Sequence, residues 1–207
     1  MSVRVKICGV TRVADAVAAA EEGADLLGLN FYAKSPRGVT LARALEIRRA
    51  VERRVKLVGV FVNAPRREII EIAGALELDF VQLHGDEPED HLAGANLAVI
   101  RALRLKPGTS AEDFKKMLER TRADLVILDS YAPSLYGGTG SALEPGALAR
   151  FDLARAFVAG GLKPETVANA ARLNPYGVDV ASGVESAPGI KDYQKLRSFI
   201  ANAKSAR

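Results

Sequence analysis

The 207-residue chain has one cysteine, Cys8, and two histidines, His84 and His91. A lone cysteine leaves no partner for an internal disulfide and fits a reducing compartment, so a cytoplasmic protein is expected. Two histidines fall short of the His and Asp ligand set of a metal-dependent phosphosugar epimerase, and no metal site is expected. No stretch approaches the roughly 20 apolar residues of a membrane span, and no charged-then-greasy leader follows Met1. The first apolar run is not followed by G-x-G-x-x-G, which removes the dinucleotide fingerprint. No linker or low-complexity segment interrupts the chain. Net charge is +4, but the arginine pairs Arg48-Arg49, Arg53-Arg54 and Arg66-Arg67 carry no interleaved aromatics. That argues for a solvated face rather than a nucleic-acid surface.

What is present is a globular composition, 48% hydrophobic and 26% charged, long enough for one sizeable core. A single domain over residues 1–207 is the expectation. One theme repeats along it: an apolar run, a turn, an amphipathic helix. Val3 to Cys8 reads as a strand with Val3, Val5 and Ile7 on one face and Arg4, Lys6 and Cys8 on the other. Thr11 is placed to cap a helix over Arg12 to Glu22. Further strands are expected at 26–31, 55–62, 80–83, 98–103, 125–128, 154–159 and 177–180. Between them fall helices at Leu41 to Glu52, after Asn63-Ala64-Pro65, at Pro88 to Ala93 and from Ser110, with Asp113 as half a capping box. A long loop over Ser130 to Glu144 and a short helix at Pro145 to Ala149 precede strand 7. Gly160-Gly161-Leu162-Lys163-Pro164 starts another helix, and a last one covers Lys191 to Lys204. Eight such units predict an α/β fold, a (β/α)8 TIM barrel, with an open doubly wound sheet as the competitor.

In such a barrel function gathers at the carboxyl ends of the strands. Cys8, Asn30, Gln82, His84, Asp129 and Asp179 all fall there. Cys8, two residues above Lys6, is either a candidate base or a small buried hydrophobe. Asp129 ends four apolar residues, where an acid is costly unless partnered or solvated in a pocket; the alternative is a turn cap. Asp179 lies between valines and is placed to hold a neighbour such as Lys6 across the mouth. His84 shares a parity with Gln82 and either orients substrate or sits as a satisfied rim histidine. Gly160-Gly161-Leu162 and Ser182-Gly183-Val184 follow strands 7 and 8, where barrels often seat a phosphate. Gly137-Gly138-Thr139-Gly140 lacks the Lys-Ser/Thr tail of a P-loop and reads as a lid.

The ordered set of motifs is more specific than any one of them. Val5-Lys6-Ile7-Cys8-Gly9, Lys34-Ser35-Pro36-Arg37, Gly59-Val60-Phe61-Val62-Asn63, Val81-Gln82-Leu83-His84-Gly85, Leu128-Asp129-Ser130 with 137–140, Ala159-Gly160-Gly161-Leu162 and Asp179 through Glu185 together resemble the phosphoribosylanthranilate isomerase family of tryptophan biosynthesis. Asn30 is a mild departure, since an apolar residue is expected there in many relatives. The resemblance implies an Amadori rearrangement with Asp129 as general acid, Cys8 as general base and Arg37 on the anthranilate carboxylate. Lys6, Gln82, His84 and Asp179, read from the strand ends, are expected against that substrate, and Gly160, Gly161, Ser182 and Gly183 at its phosphate. Lys6, the nearest cation, is expected to lower the thiol pKa. No cofactor is implied, because the substrate's own nitrogen is the electron sink. The expected partner is a phosphorylated small molecule, not nucleic acid or membrane, with the chain a monomer or homodimer. Rivals are another phosphosugar barrel and a non-catalytic phosphate-binding barrel.

Overall fold

A computed structural model of the chain describes residues 3–106, 108–130 and 148–206. Eight parallel strands close into a barrel in sequence order. They are β1 (Arg4–Cys8), β2 (Leu26–Asn30), β3 (Lys56–Phe61), β4 (Phe80–Leu83), β5 (Val99–Leu105), β6 (Leu125–Ser130), β7 (Ala156–Val158) and β8 (Gly177–Val180). β1 closes the ring on β8, with Lys6 in register with Asp179 and Ile7 with Val180. The (β/α)8 expectation holds, and the open sheet is excluded by that closure.

Strand parity divides the core in two. Leu26, Val58, Ile100, Leu125, Ile127 and Phe157 pack together inside the barrel. Val5, Ile7, Leu27, Leu29, Leu57, Phe61, Val126 and Leu128 face outward into a larger core shared with the helices. Those helices are α1 (Val13–Glu21), α2 (Leu41–Val51), α3 (Arg66–Leu76), α4 (Ala111–Arg120), α5 (Val167–Ala171) and α6 (Tyr193–Ser205). Each follows a strand because its apolar stripe has only the outward strand face to cover. Among the described residues no helix is long and apolar enough to cross a membrane. The arginine pairs are largely engaged at helix ends: Arg48 and Arg53 reach Glu77, and Arg67 reaches Glu71.

Several local expectations are corrected. Thr11 does not cap α1, whose N-cap residue is Arg12 with no side-chain cap bond; its hydroxyl donates instead to the Gly189 carbonyl at 2.5 Å. Ser110 does cap α4, accepting from the Asp113 amide at 3.0 Å. No helix forms over Pro88 to Ala93. There His91 and Ala93 donate back three residues, to Pro88 and Asp90, so only separate turns form. The Glu89 carboxylate is drawn off to the Thr121 hydroxyl and the Arg122 amide. After β7 the helix shrinks to α5. The last helix begins only at Tyr193, capped by Asp192, because Lys191 belongs to a hairpin that the periodicity missed. That hairpin, β9 (Glu185–Ala187) with β10 (Ile190–Lys191), follows a 3-10 turn at Ser182–Val184. Of the loop expected over Ser130 to Glu144, Ser130 instead ends β6; the rest, with the 137–140 lid and most of the helix expected at 145–149, lies outside the described residues.

Candidate active site

At the carboxyl ends of the strands the inward residues leave a cavity of about 690 Å³, within the range of small-molecule sites. Its lining includes Cys8 from β1, Asn30 from β2, Gln82 and His84 around the end of β4, Asp129 from β6 and Asp179 from β8. Gly160 and Gly161 after β7, Ser182 and Gly183 after β8, and Arg37 from the loop after β2 complete the wall. Ten of the eleven site residues expected from the sequence therefore border one space. Lys6 is the exception.

Lys6 is wholly buried one strand repeat below Cys8, beneath the lining rather than on it. Its Nζ donates to Asp179 Oδ1 at 2.7 Å across the β1–β8 seam. Burial works against that ammonium, but the Asp179 carboxylate and Cys8 outweigh it and raise the Lys6 pKa. A Cβ on Gly28 would come within 2.8 Å of Cys8 Sγ and 3.3 Å of Lys6 Nζ. The bare backbone of β2 thus makes room for both. Removing one partner of a buried ion pair strands the other. Asp179→Ala is accordingly expected to lower stability by about 3–5 kcal/mol, read as a fall in the urea midpoint. The double replacement Lys6→Met with Asp179→Leu is expected to recover most of it.

The expected drop in the thiol pKa is reversed. Burial pushes Cys8 up; Lys6 and Lys191 pull it down, but Asp179 pushes it up again, and the net direction is upward. Lys6 comes as half of a neutral pair with Asp179, the partner expected for it from the sequence.

Across the mouth, Gln82 Nε2 lies 2.7 Å from His84 Nδ1. With the amide donating, the ring proton falls on Nε2, which faces Asp129 Oδ2 at 3.4 Å. Asp129 is buried at the end of β6 with this imidazole as neighbour. His84 thus lies beside the acid, its buried Nε2 facing the carboxylate without a hydrogen bond. Asn30, the departure noted above, orders the loop after β2. Its Oδ1 accepts from the Tyr32 amide at 2.9 Å and its Nδ2 donates to Ser35 Oγ at 3.2 Å. Ser35 Oγ also accepts from the Arg37 amide at 3.2 Å, so the strand end sets where Arg37 emerges. The loops after β7 and β8 touch: a Cβ on Gly183 would overlap the Leu162 carbonyl oxygen. Gly160 and Gly161 hold φ of 82° and 62°, a left-handed pair that other residues enter at a cost.

Two residues with consequences at the site were not singled out from the sequence. Glu185 accepts from Arg37 Nε at 2.9 Å and from Nη2 at 2.7 Å. Lys191 Nζ donates to Glu185 Oε1 at 2.9 Å, to the Cys8 carbonyl at 2.7 Å and to the Ala181 carbonyl at 3.2 Å. Pro188-Gly189 is a turn dipeptide that marks the hairpin between them. Among the described residues, no three of His, Cys, Asp and Glu gather as metal ligands would.

The chain matches the family model described as N-(5'phosphoribosyl)anthranilate (PRA) isomerase over residues 5–202. It is 47% identical to the N-(5'-phosphoribosyl)anthranilate isomerase of Pseudomonas paraeruginosa over 99% of this chain and 96% of that protein. The crystal structure of phosphoribosyl anthranilate isomerase from Thermotoga maritima is 35% identical, with a TM-score of 0.85 over 98% of each chain. A second phosphoribosyl anthranilate isomerase structure, in complex with reduced 1-(o-carboxyphenylamino)-1-deoxyribulose 5-phosphate, is 36% identical with a TM-score of 0.80 over 98% of each chain. Barrel closure, the grouped strand-end residues and these end-to-end matches agree: the chain belongs to the N-(5'-phosphoribosyl)anthranilate isomerase family.

Proposed function

We propose that this chain carries out its family's isomerisation, a step of tryptophan biosynthesis, with Asp129 as general acid and Cys8 as general base. The substrate is N-(5'-phosphoribosyl)anthranilate and the product 1-(2-carboxyphenylamino)-1-deoxyribulose 5-phosphate. The observation that carries the assignment is that Cys8 and Asp129, on β1 and β6, border one cavity. Asp129 gives a proton to the furanose oxygen, the C1–O bond breaks, and the nitrogen lone pair forms an iminium. That cation acidifies the C2 proton, which the Cys8 thiolate removes. The resulting enolamine takes a proton at C1 as its hydroxyl relaxes to the ketone. Ring opening also places positive charge near a thiol that burial disfavours as an anion, which offsets part of that cost.

Arg37 takes the anthranilate carboxylate in a fork, Gln82, His84 and Asp179 flank the sugar, and Gly160, Gly161, Ser182 and Gly183 receive the phosphate. Lys6 acts from below through Asp179. The reading calls for no cofactor and for neither nucleic acid nor membrane as partner. It treats residues 1–207 as one cytoplasmic domain, working as a monomer or homodimer.

Fluorescence-monitored consumption of phosphoribosylanthranilate, run beside the Cys8→Ser variant, tests the acid–base pair. A barrel that only binds phosphosugars would give no turnover that the variant abolishes. The phosphate assignment has its own test. Gly183→Ala forces the two loops apart and is expected to raise KM by about 10–100-fold, with weaker inhibition by inorganic phosphate. An unchanged KM and unchanged inhibition would move the phosphate elsewhere.

A further inference from the structure

We propose that Glu185, held by Lys191, is a positioning residue that presents Arg37 to the carboxylate of the substrate. The inference rests on the reading above that Arg37 receives that group. A guanidinium has five N–H bonds arranged as two forks. Glu185 occupies the fork made by Nε and Nη2. The other fork, Nη1 with the second N–H of Nη2, takes no part in that pairing. A carboxylate docking there completes a guanidinium gripped on both edges, its plane fixed before substrate arrives.

Glu185 is itself held. Lys191 is buried, and its three N–H donors go to Glu185, the Cys8 carbonyl and the Ala181 carbonyl. No ammonium donor remains for a ligand, so Lys191 supports and does not bind. The hairpin carrying both residues is anchored to the α1 side of the barrel. The Lys191 amide donates to buried Asp15 at 3.1 Å, and the Gly189 carbonyl takes the Thr11 hydroxyl. Lys195 Nζ donates to the Glu185 carbonyl at 3.0 Å. Arg37 in turn lies across the Cys8–Gly9 backbone: a Cβ on Gly9 would sit 2.5 Å from Arg37 Cδ. The carbonyl of the proposed base and the guanidinium that receives the substrate are therefore tied to the same two side chains.

Charge points the same way. Arg37 and Lys191 flank Glu185 from both sides; burial lowers the Lys191 pKa against the pull of Glu185, so the permanent cation of the group is Arg37. The pKa of Glu185 is held below the ordinary carboxylate range: burial raises it, but the bonds from Arg37 and the nearby Lys191 charge outweigh that. It remains an anion through the pH range of an assay. A neutral amide in its place keeps one acceptor oxygen but turns its NH2 toward a donor of Arg37, so it loses the charge and half of the fork.

The experiment compares Glu185→Gln with wild type on phosphoribosylanthranilate. It adds titrations with the reduced product analogue, 1-(2-carboxyphenylamino)-1-deoxyribulose 5-phosphate in reduced form, and with its counterpart lacking the carboxyl group. The expected result is a rise of about tenfold in KM and in the Kd of the carboxylated analogue. kcat should stay within about threefold, and the Kd of the descarboxy analogue should not change. Equal weakening toward both analogues, or a fall in kcat alone, would mean a merely structural role and overturn the proposal. Arg37→Met separates the two layers of argument. If it discriminates between the analogues while Glu185→Gln does not, the positioning role fails alone; if it does not discriminate, both fail. Should Glu185→Gln not fold, Glu185→Asp, which keeps the charge but shortens its reach, gives the same pair of readouts.

Discussion

Asp129→Asn is expected to lower kcat by about 10²- to 10⁴-fold, the usual worth of a positioned general acid, while the protein keeps its fold and its affinity for the reduced product analogue. Asparagine has the shape of the acid and still faces His84 Nε2, 3.4 Å away from Asp129 in the native site. What it lacks is a proton to give to the ring oxygen. Since β6 is paired on both sides, with β5 and with β7, one amide at its end does not disturb the barrel. Steady-state rates on phosphoribosylanthranilate, with circular dichroism as the control for folding, decide the matter. A variant with near-wild-type kcat would remove Asp129 from the chemistry.

Cys8→Ser is expected to fall by a similar factor, because a hydroxyl is a far poorer proton acceptor at any accessible pH. The wild-type enzyme supplies a second signature. Burial raises the thiol pKa above its usual value; Lys6 pulls it down and Asp179 works against that help. The active thiolate is the deprotonated form, so kcat/KM should rise with pH and its ascending limb should lie above the ordinary thiol range near about 8.5. Lys6→Met with Asp179→Leu removes cation and anion together and should shift that limb little. A limb centred well below 7 that survives in Cys8→Ser would assign it to another group.

Which parts of this were legible before the structure follows from which interactions are local. The period-2 alternation of β1 separates Val5 and Ile7 from Lys6 and Cys8, and the barrel puts the first pair outward and the second inward. Asp129 was visible as an acid closing a greasy run. The Lys6–Asp179 pairing was legible too, and the bond across 173 positions bears it out; the sign of the thiol shift was not, because burial outweighs the cation. Burial, the largest contribution, has no local signature. The hairpin after β8 was missed for a related reason. With three and two residues its strands are too short to show alternation, and what holds it is contact with Asp15 and Thr11 at the other end of the chain. At Pro88 to Ala93, helix-like composition lost to side-chain and backbone bonds made with Thr121 and Arg122 some thirty residues on.

The seam between β1 and β8 carries a consequence for biogenesis. Until the eighth strand emerges from the ribosome, Lys6 has no counter-charge and the nascent sheet has two open edges. A chain halted before Asp179 cannot bury that ammonium without penalty, so the final closure and the assembly of a working centre coincide in one late event.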